Sequence, residues 1–124
     1  MGQTSELKVY EDELRVLASK LAGVGFMSQG SVVHRYTRCA APGCRCNGNP
    51  PRPHGPYWQW STAVGGKTVT RRLTEEQAAL YKEWIANRRR ALEILAQIEE
   101  LSRRAGEILL QEAGPTADRA TRSA

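Results

Sequence analysis

The sequence predicts an α+β fold: an N-terminal helix, a three-stranded antiparallel sheet with a Cys3His zinc knuckle, and a long C-terminal helix. Three observations predict it. Apolar residues recur at three- and four-residue steps near the start of the chain and again over its last third. Between these stretches lie three short runs rich in Val, Thr, Tyr and Trp, two of them joined by Gly65-Gly66. Three cysteines crowd into eight residues, with a histidine shortly after, in a segment rich in proline. The expected bounds are 1–22 for the first helix, 31–73 for the sheet, 74–113 for the second helix and 114–124 for a disordered tail. With 124 residues, these parts make one domain.

Each element has its own reason. Leu7, Tyr10, Leu14, Leu17 and Leu21 fall on one stripe of a helix over residues 5–21, with Thr4 or Ser5 as N-cap. Gly23, Gly25 and Gly30 end it in a link. Residues 31–38 read as the first strand and 57–64 as the second. Gly65-Gly66 suits a type I′ turn, where both central residues need positive φ, and Lys67 to Leu73 forms the third strand. Thr74-Glu75-Glu76-Gln77 fits a capping box that opens the long helix, and Gly114-Pro115 closes it. Tyr81, Trp84, Leu92, Leu95, Ile98, Ala105 and Ile108 recur near every 3.5 residues along that helix, a spacing that wants a partner helix. The first helix covers about half of this seam. A second copy of the chain or another protein is expected on the rest.

Cys39, Cys44, Cys46 and His54 carry the clearest chemistry. Three thiolates and an imidazole make a tetrahedral zinc set, here spaced C-x4-C-x-C-x7-H. Pro42-Gly43 allows the tight turn that lets Cys39 and Cys44 converge, and the Gly/Pro stretch after Cys46 loops His54 back. His34, on the first strand, competes for the fourth place. Zn2+ here would tie the first strand to the second, and structural zinc contributes about 10 kcal/mol or more in small domains. No Asp or Glu lies within twenty residues of the cluster, which argues against a catalytic metal.

Charge is arranged unevenly. The net charge is +5 and the pI about 9.4. Yet there is no acidic residue between Glu13 and Glu75, a span that holds nine Lys and Arg. A basic, acid-free centre implies a surface that faces a polyanion. The expected nucleic-acid contacts are Arg35, Arg38, Lys67, Arg71 and Arg72, with DNA ahead of RNA. A sheet in a major groove reads base edges with Arg, Thr and Gln, whereas exposed aromatics stack on unpaired bases. Trp58 and Trp60 alternate to one face, opposite Tyr57, Gln59 and Ser61, and at least one of the two belongs in the core of a chain with a single Phe. The alternative function is a protein-interaction or oligomerisation module that uses the long helix as a coiled-coil handle, with a structural zinc.

Several classes fall away. No Walker loop, GxSxG or HExxH motif is present, so no catalytic residue and no enzymatic activity is expected. Arg45 beside Cys44 lowers a thiol pKa without making a catalytic pair with His54. No apolar run is long enough to span a membrane, and the polar start lacks a signal-like core. The expected compartment is therefore the reducing cytoplasm.

Gly30-Ser31-Val32-Val33, Tyr36-Thr37-Arg38-Cys39, Pro42-Gly43-Cys44-Arg45-Cys46, His54-Gly55-Pro56-Tyr57-Trp58 and Gly66-Lys67 before a capped helix carry a resemblance. Over roughly residues 28–95 the chain resembles an uncharacterised family of short prokaryotic proteins, a domain of unknown function. The resemblance implies a genomic setting beside transposases and other mobile-element genes. A second likeness, at the level of fold, is to the arm-binding domains of tyrosine recombinases. They too use a three-stranded sheet, a Gly-Lys hairpin and a following helix to bind DNA.

Overall fold

The computed structural model describes residues 2–39 and 41–115. The tail expected to be disordered lies outside the described residues from 116 onward. In chain order the elements are α1 (Gly2–Ala22), β1 (Ser31–Thr37), a 3-10 turn (Arg45–Asn47), β2 (His54–Val64), β3 (Lys67–Leu73) and α2 (Glu75–Ala113). This is the expected α+β order, with a three-stranded antiparallel sheet of order β1-β2-β3. α1 starts ahead of the expected cap, so Thr4 and Ser5 lie inside the helix. β2 starts at His54, three residues before the strand read from residue type. Pairing with β1 outweighs the local Gly-Pro signal there.

Sequence chemistry explains the other boundaries. Gly65 and Gly66 have φ of 56° and 79°, the paired positive values a two-residue turn requires. Thr74 and Gln77 form the capping box. The Gln77 N–H donates to Thr74 Oγ1 at 3.1 Å, and the Thr74 N–H donates to Gln77 Oε1 at 2.9 Å.

The described chain falls into two compact units. The first spans Gly25–Arg89: the sheet, the cysteine loop and the opening turns of α2. Its register places Val32, His34, Trp58, Trp60, Val69, Arg71 and Leu73 on one sheet face. That face packs on α2. Trp60 stacks on Tyr81 with centroids 4.8 Å apart, Tyr81 meets Trp84 edge-on, and Leu73 and Ala78 are buried. Such aromatic pairs contribute about 0.5–1.5 kcal/mol each beyond their burial. The link before β1 is pinned to the same assembly. Trp60 Nε1 donates to the Gln29 carbonyl at 2.9 Å, and buried Asn87 donates from Nδ2 to the Phe26 carbonyl at 2.8 Å.

The second unit comprises the described parts of Met1–Val24 and Arg90–Ala124, that is α1 and the later turns of α2. Ala91 and Leu101 are buried in it, while Val9, Val16, Leu109 and Leu110 remain exposed. A groove of about 750 Å³ runs between its helices, lined by Val9, Val16, Leu17, Ala96 and Leu101 among others. Its ion pairs are local and exposed, such as Lys8–Asp12 at 3.0 Å and Arg103–Glu100 at 2.6 Å. Such pairs contribute little to stability. Among the described residues, no helix is long and apolar enough to cross a membrane.

Removing the Thr74 hydroxyl tests the cap. Thr74→Ala is expected to destabilise the sheet-bearing unit by about 1 kcal/mol, read as a lower urea midpoint in tryptophan fluorescence with metal content unchanged.

Candidate metal centre

The ladder between β1 and β2 builds the candidate metal centre. Thr37, the last residue of β1, pairs with His54, the first of β2, after a bulge between Arg35 and Thr37. Cys39 lies two residues beyond the end of β1, so the ladder alone brings Cys39 and His54 to the same end of the sheet. Gly55 makes the bulge possible: its φ is +114°, and a Cβ there would sit 2.7 Å from the Arg35 carbonyl oxygen.

The loop then folds the other two cysteines inward. The Cys44 N–H donates to the Ala41 carbonyl at 3.1 Å, closing a turn around Pro42-Gly43. The 3-10 turn follows, with the Asn47 N–H on the Cys44 carbonyl at 3.0 Å. Asn47 also staples the loop across its width, donating from Nδ2 to the Cys39 carbonyl at 2.9 Å and the Ala41 carbonyl at 3.0 Å.

Four ligand atoms converge as a result. The three sulfurs and one His54 ring nitrogen all lie within 4.8 Å of one another. Cys39 Sγ and Cys46 Sγ are 3.5 Å apart, and Cys44 Sγ is 3.0 Å from His54 Nε2. A tetrahedral ion with metal–sulfur bonds of about 2.3 Å and metal–nitrogen bonds of about 2.0 Å needs sulfur–sulfur separations near ~3.8 Å and sulfur–nitrogen separations near ~3.5 Å. The two closest pairs lie a few tenths of an ångström inside those lengths and all four atoms stay within 4.8 Å, so the donor set fits a metal ion after small side-chain shifts. Cys46 is 0% exposed, and its sulfur accepts the Cys39 N–H at 3.2 Å. That is the kind of backbone support that orients a ligand.

His34 is not among the clustered ligand atoms. Its ring stacks on Trp58 at 4.1 Å, and the Lys82 ammonium lies 3.9 Å from the centre of the same indole.

The thiols are electrostatically unequal. The Cys44 thiol is lowered to about 6, chiefly by the Cys46 backbone amide, then by the Cys39 and Cys46 thiols, with a smaller push from His54. Cys46 is raised: the Cys39 amide pulls it down, but burial and the neighbouring Cys39 and Cys44 thiols outweigh that pull.

The five basic residues singled out in the sequence do not share one surface. Arg35 and Arg72 lie on the sheet face opposite α2, together with Tyr57, Gln59, Ser61 and Thr70. No acidic residue belongs to that open face. The Arg72 guanidinium covers the Tyr57 ring at 4.0 Å. The Tyr57 phenol is held below its ordinary pKa by a hydrogen bond from the Thr37 hydroxyl, then by Arg72 and Arg35. Lys67 and Arg71 lie on the other face, where Arg71 Nη1 donates to the Tyr81 hydroxyl at 3.4 Å. Arg38 stands past the last ladder pair, next to Cys39.

Three contributors lie outside the site residues expected from the sequence. Asn47 follows Cys46 directly in a loop that needs a backbone staple, which was its only signal. Tyr57 and Gln59 gain meaning only through the register, which sets them between Arg35 and Arg72.

Residues 7–83 match the family described as Domain of unknown function (DUF6788), and the chain belongs to that family. No curated protein and no solved structure matches the chain.

Metal analysis of protein purified without chelator is expected to find about one ion per chain. Cys44→Ser and His54→Ala lose it together with several degrees of melting temperature, while His34→Ala retains it. In the metal-free protein, Cys44 alkylation by iodoacetamide should rise as pH passes through about 6 and level off near neutrality. The sign follows from the lowered thiol: the reactive thiolate is already dominant where an ordinary cysteine is still protonated. Cys46 should label last, and added metal should suppress labelling at all three sites.

Proposed function

We propose that the chain is a small zinc-stabilised nucleic-acid-binding accessory module that presents its open sheet face to its target, with DNA ahead of RNA. The zinc assignment rests on donor chemistry. Three soft thiolates and one imidazole select a tetrahedral d10 ion, and the set contains no carboxylate and no second histidine that would suit a harder metal. With all four protein ligands engaged, the ion has a structural role and keeps no open position for catalysis. In this reading the protein is not an enzyme.

The observation that carries the nucleic-acid reading is the composition of the open face. Arg35 and Arg72 flank Tyr57 and Gln59 there, with Ser61 and Thr70 alongside and no carboxylate among them. A solvated face with no partner usually mixes both signs of charge. A face of one sign, with hydroxyl and amide groups between its arginines, supports binding to a phosphate polymer. The acid-free span from residue 14 to 74 extends the same field over the surrounding loops. A cytoplasmic site of action and a mobile-element setting belong to this proposal as well.

One observation favours a second reading, a protein-interaction or oligomerisation module. It is the 750 Å³ groove in the helical unit, with Val9 and Val16 exposed along it. That reading leaves the charge of the open face unexplained.

Fluorescence anisotropy with a labelled duplex of about 20 base pairs separates the two. Binding is expected at about 50 mM salt and should weaken steeply towards about 200 mM as counterions are released. Chelating the zinc should abolish it, and the Arg35→Ala/Arg72→Ala double variant should weaken it about tenfold or more. Undetectable binding to DNA and RNA at the lower salt would falsify the reading.

A further inference from the structure

We infer that the open face is a reader of the duplex major groove, in which Arg35 and Arg72 hold the phosphates on either side and Gln59 reads a base edge between them. The inference rests on the nucleic-acid reading above and narrows it to a target class and a division of labour.

Strand order supplies the first reason. β2 is the central strand, so Gln59 stands in the middle of the face, while Arg35 lies on one outer strand and Arg72 on the other. Adjacent strands are spaced by about 4.8 Å, which sets the outer two about 10 Å apart. The major groove of B-form DNA is about 12 Å wide. A sheet seated in it places the outer-strand arginines against the two phosphate walls and the central side chains against the base pairs. Gln59 sits directly opposite Val33 on one side and Arg72 on the other. Its amide, which pairs with adenine N6 and N7 in direct readout, donates to Ser61 Oγ at 3.3 Å. The neighbouring row is Ser31, Ser61 and Thr70, short hydroxyl side chains that keep the face low enough to enter a groove.

The aromatic residues supply the second reason. Single-strand binders lay successive bases on successive exposed rings. Here the tryptophans of the sheet are on the wrong side. Trp60 stacks on Tyr81, and Trp58 carries His34 at 4.1 Å with the Lys82 ammonium also over its ring. The one ring on the open face, Tyr57, is covered by Arg72 at 4.0 Å. Tyr36 is exposed, but it lies at the bulge beyond the regular ladder and offers a single ring rather than a platform. The contact that blocks stacking on Tyr57 keeps the Arg72 guanidinium over the central strand, and the guanidinium swings outward from that ring to meet a phosphate wall.

The test uses the zinc-loaded full chain and two probes, a random-sequence duplex pool of about 20 base pairs and single-stranded dT of the same length. The duplex should bind about tenfold or more tightly. Arg35→Ala and Arg72→Ala should each weaken binding to all duplexes alike and reduce the salt slope by about 1. Repeated selection from the pool should enrich a sequence with wild type. Gln59→Ala should relax one position of it, read as loss of the base preference there in the newly selected sequence. Gln59→Glu, of the same shape, should shift that position from adenine towards cytosine. Each variant is checked for zinc content and melting temperature. Equal or tighter binding of single-stranded dT overturns groove reading and leaves nucleic-acid binding intact. An unchanged selected sequence in both folded Gln59 variants overturns the role of Gln59. Failure to bind either probe removes the underlying reading itself.

Discussion

The convergence of three sulfurs and one ring nitrogen within 4.8 Å is the contact on which the sheet-bearing unit depends. Little else in the loop from Cys39 to His54 buries apolar surface. Cys46 is the one buried residue among those described there, and the backbone bonds are short-range turns plus one from the Arg52 N–H to the Arg45 carbonyl at 3.1 Å. Without a shared ion, three thiols at this spacing compete for the same space and for the same few donors. With one, their mutual crowding becomes coordination, and binding free energy becomes folding free energy. The core behind the sheet is also thin, resting on Leu73, Ala78 and a set of half-buried aromatic rings. A small unit of this kind gains from a covalent or ionic staple, as other small domains do.

The sheet is asymmetric in a way that assigns each face a task. One face spends its tryptophans and Leu73 on α2, and its polar groups are also engaged there, with Arg71 on the Tyr81 hydroxyl and Trp60 Nε1 on the Gln29 carbonyl. The other face carries Arg, Gln, Ser, Thr and Tyr, with Val33 and Ala63 among them and no carboxylate. Strict alternation along β2 separates the two sets, since Trp58 and Trp60 interleave with Tyr57, Gln59 and Ser61. Any change that keeps the fold must respect the aromatic set, whereas the polar set contributes no residue to the buried core and packs only among its own members, as Arg72 does on Tyr57.

Much of this was legible in the residues. Gly65-Gly66 and the Thr74–Gln77 box fixed a turn and a helix start because each satisfies a local backbone need that few other residues meet. The four ligands were visible as a donor set, and the structure selects His54 over His34 through strand pairing, which spacing alone does not contain. The start of β2 was missed because Gly55-Pro56 reads locally as a strand breaker, while the ladder to Thr37 overrides it. The identity of the open face was hidden for a related reason. Alternation gives two candidate faces per strand, and only cross-strand register and the seat of α2 decide between them. The basic residues were therefore grouped by sign in the sequence, and the structure regrouped them by face.

His54 belongs to two systems at once: it is the first rung of the β1–β2 ladder and one of the four clustered donors. Side chains on a strand alternate, so sliding β2 by one residue would carry the imidazole away from the sulfurs and turn both tryptophans towards water. With the proposed ion bound, coordination would act as a proofreading step on strand alignment. A mispaired ribbon would forfeit the donor cluster and its aromatic packing in the same slip, leaving the wrong alignment nothing with which to persist.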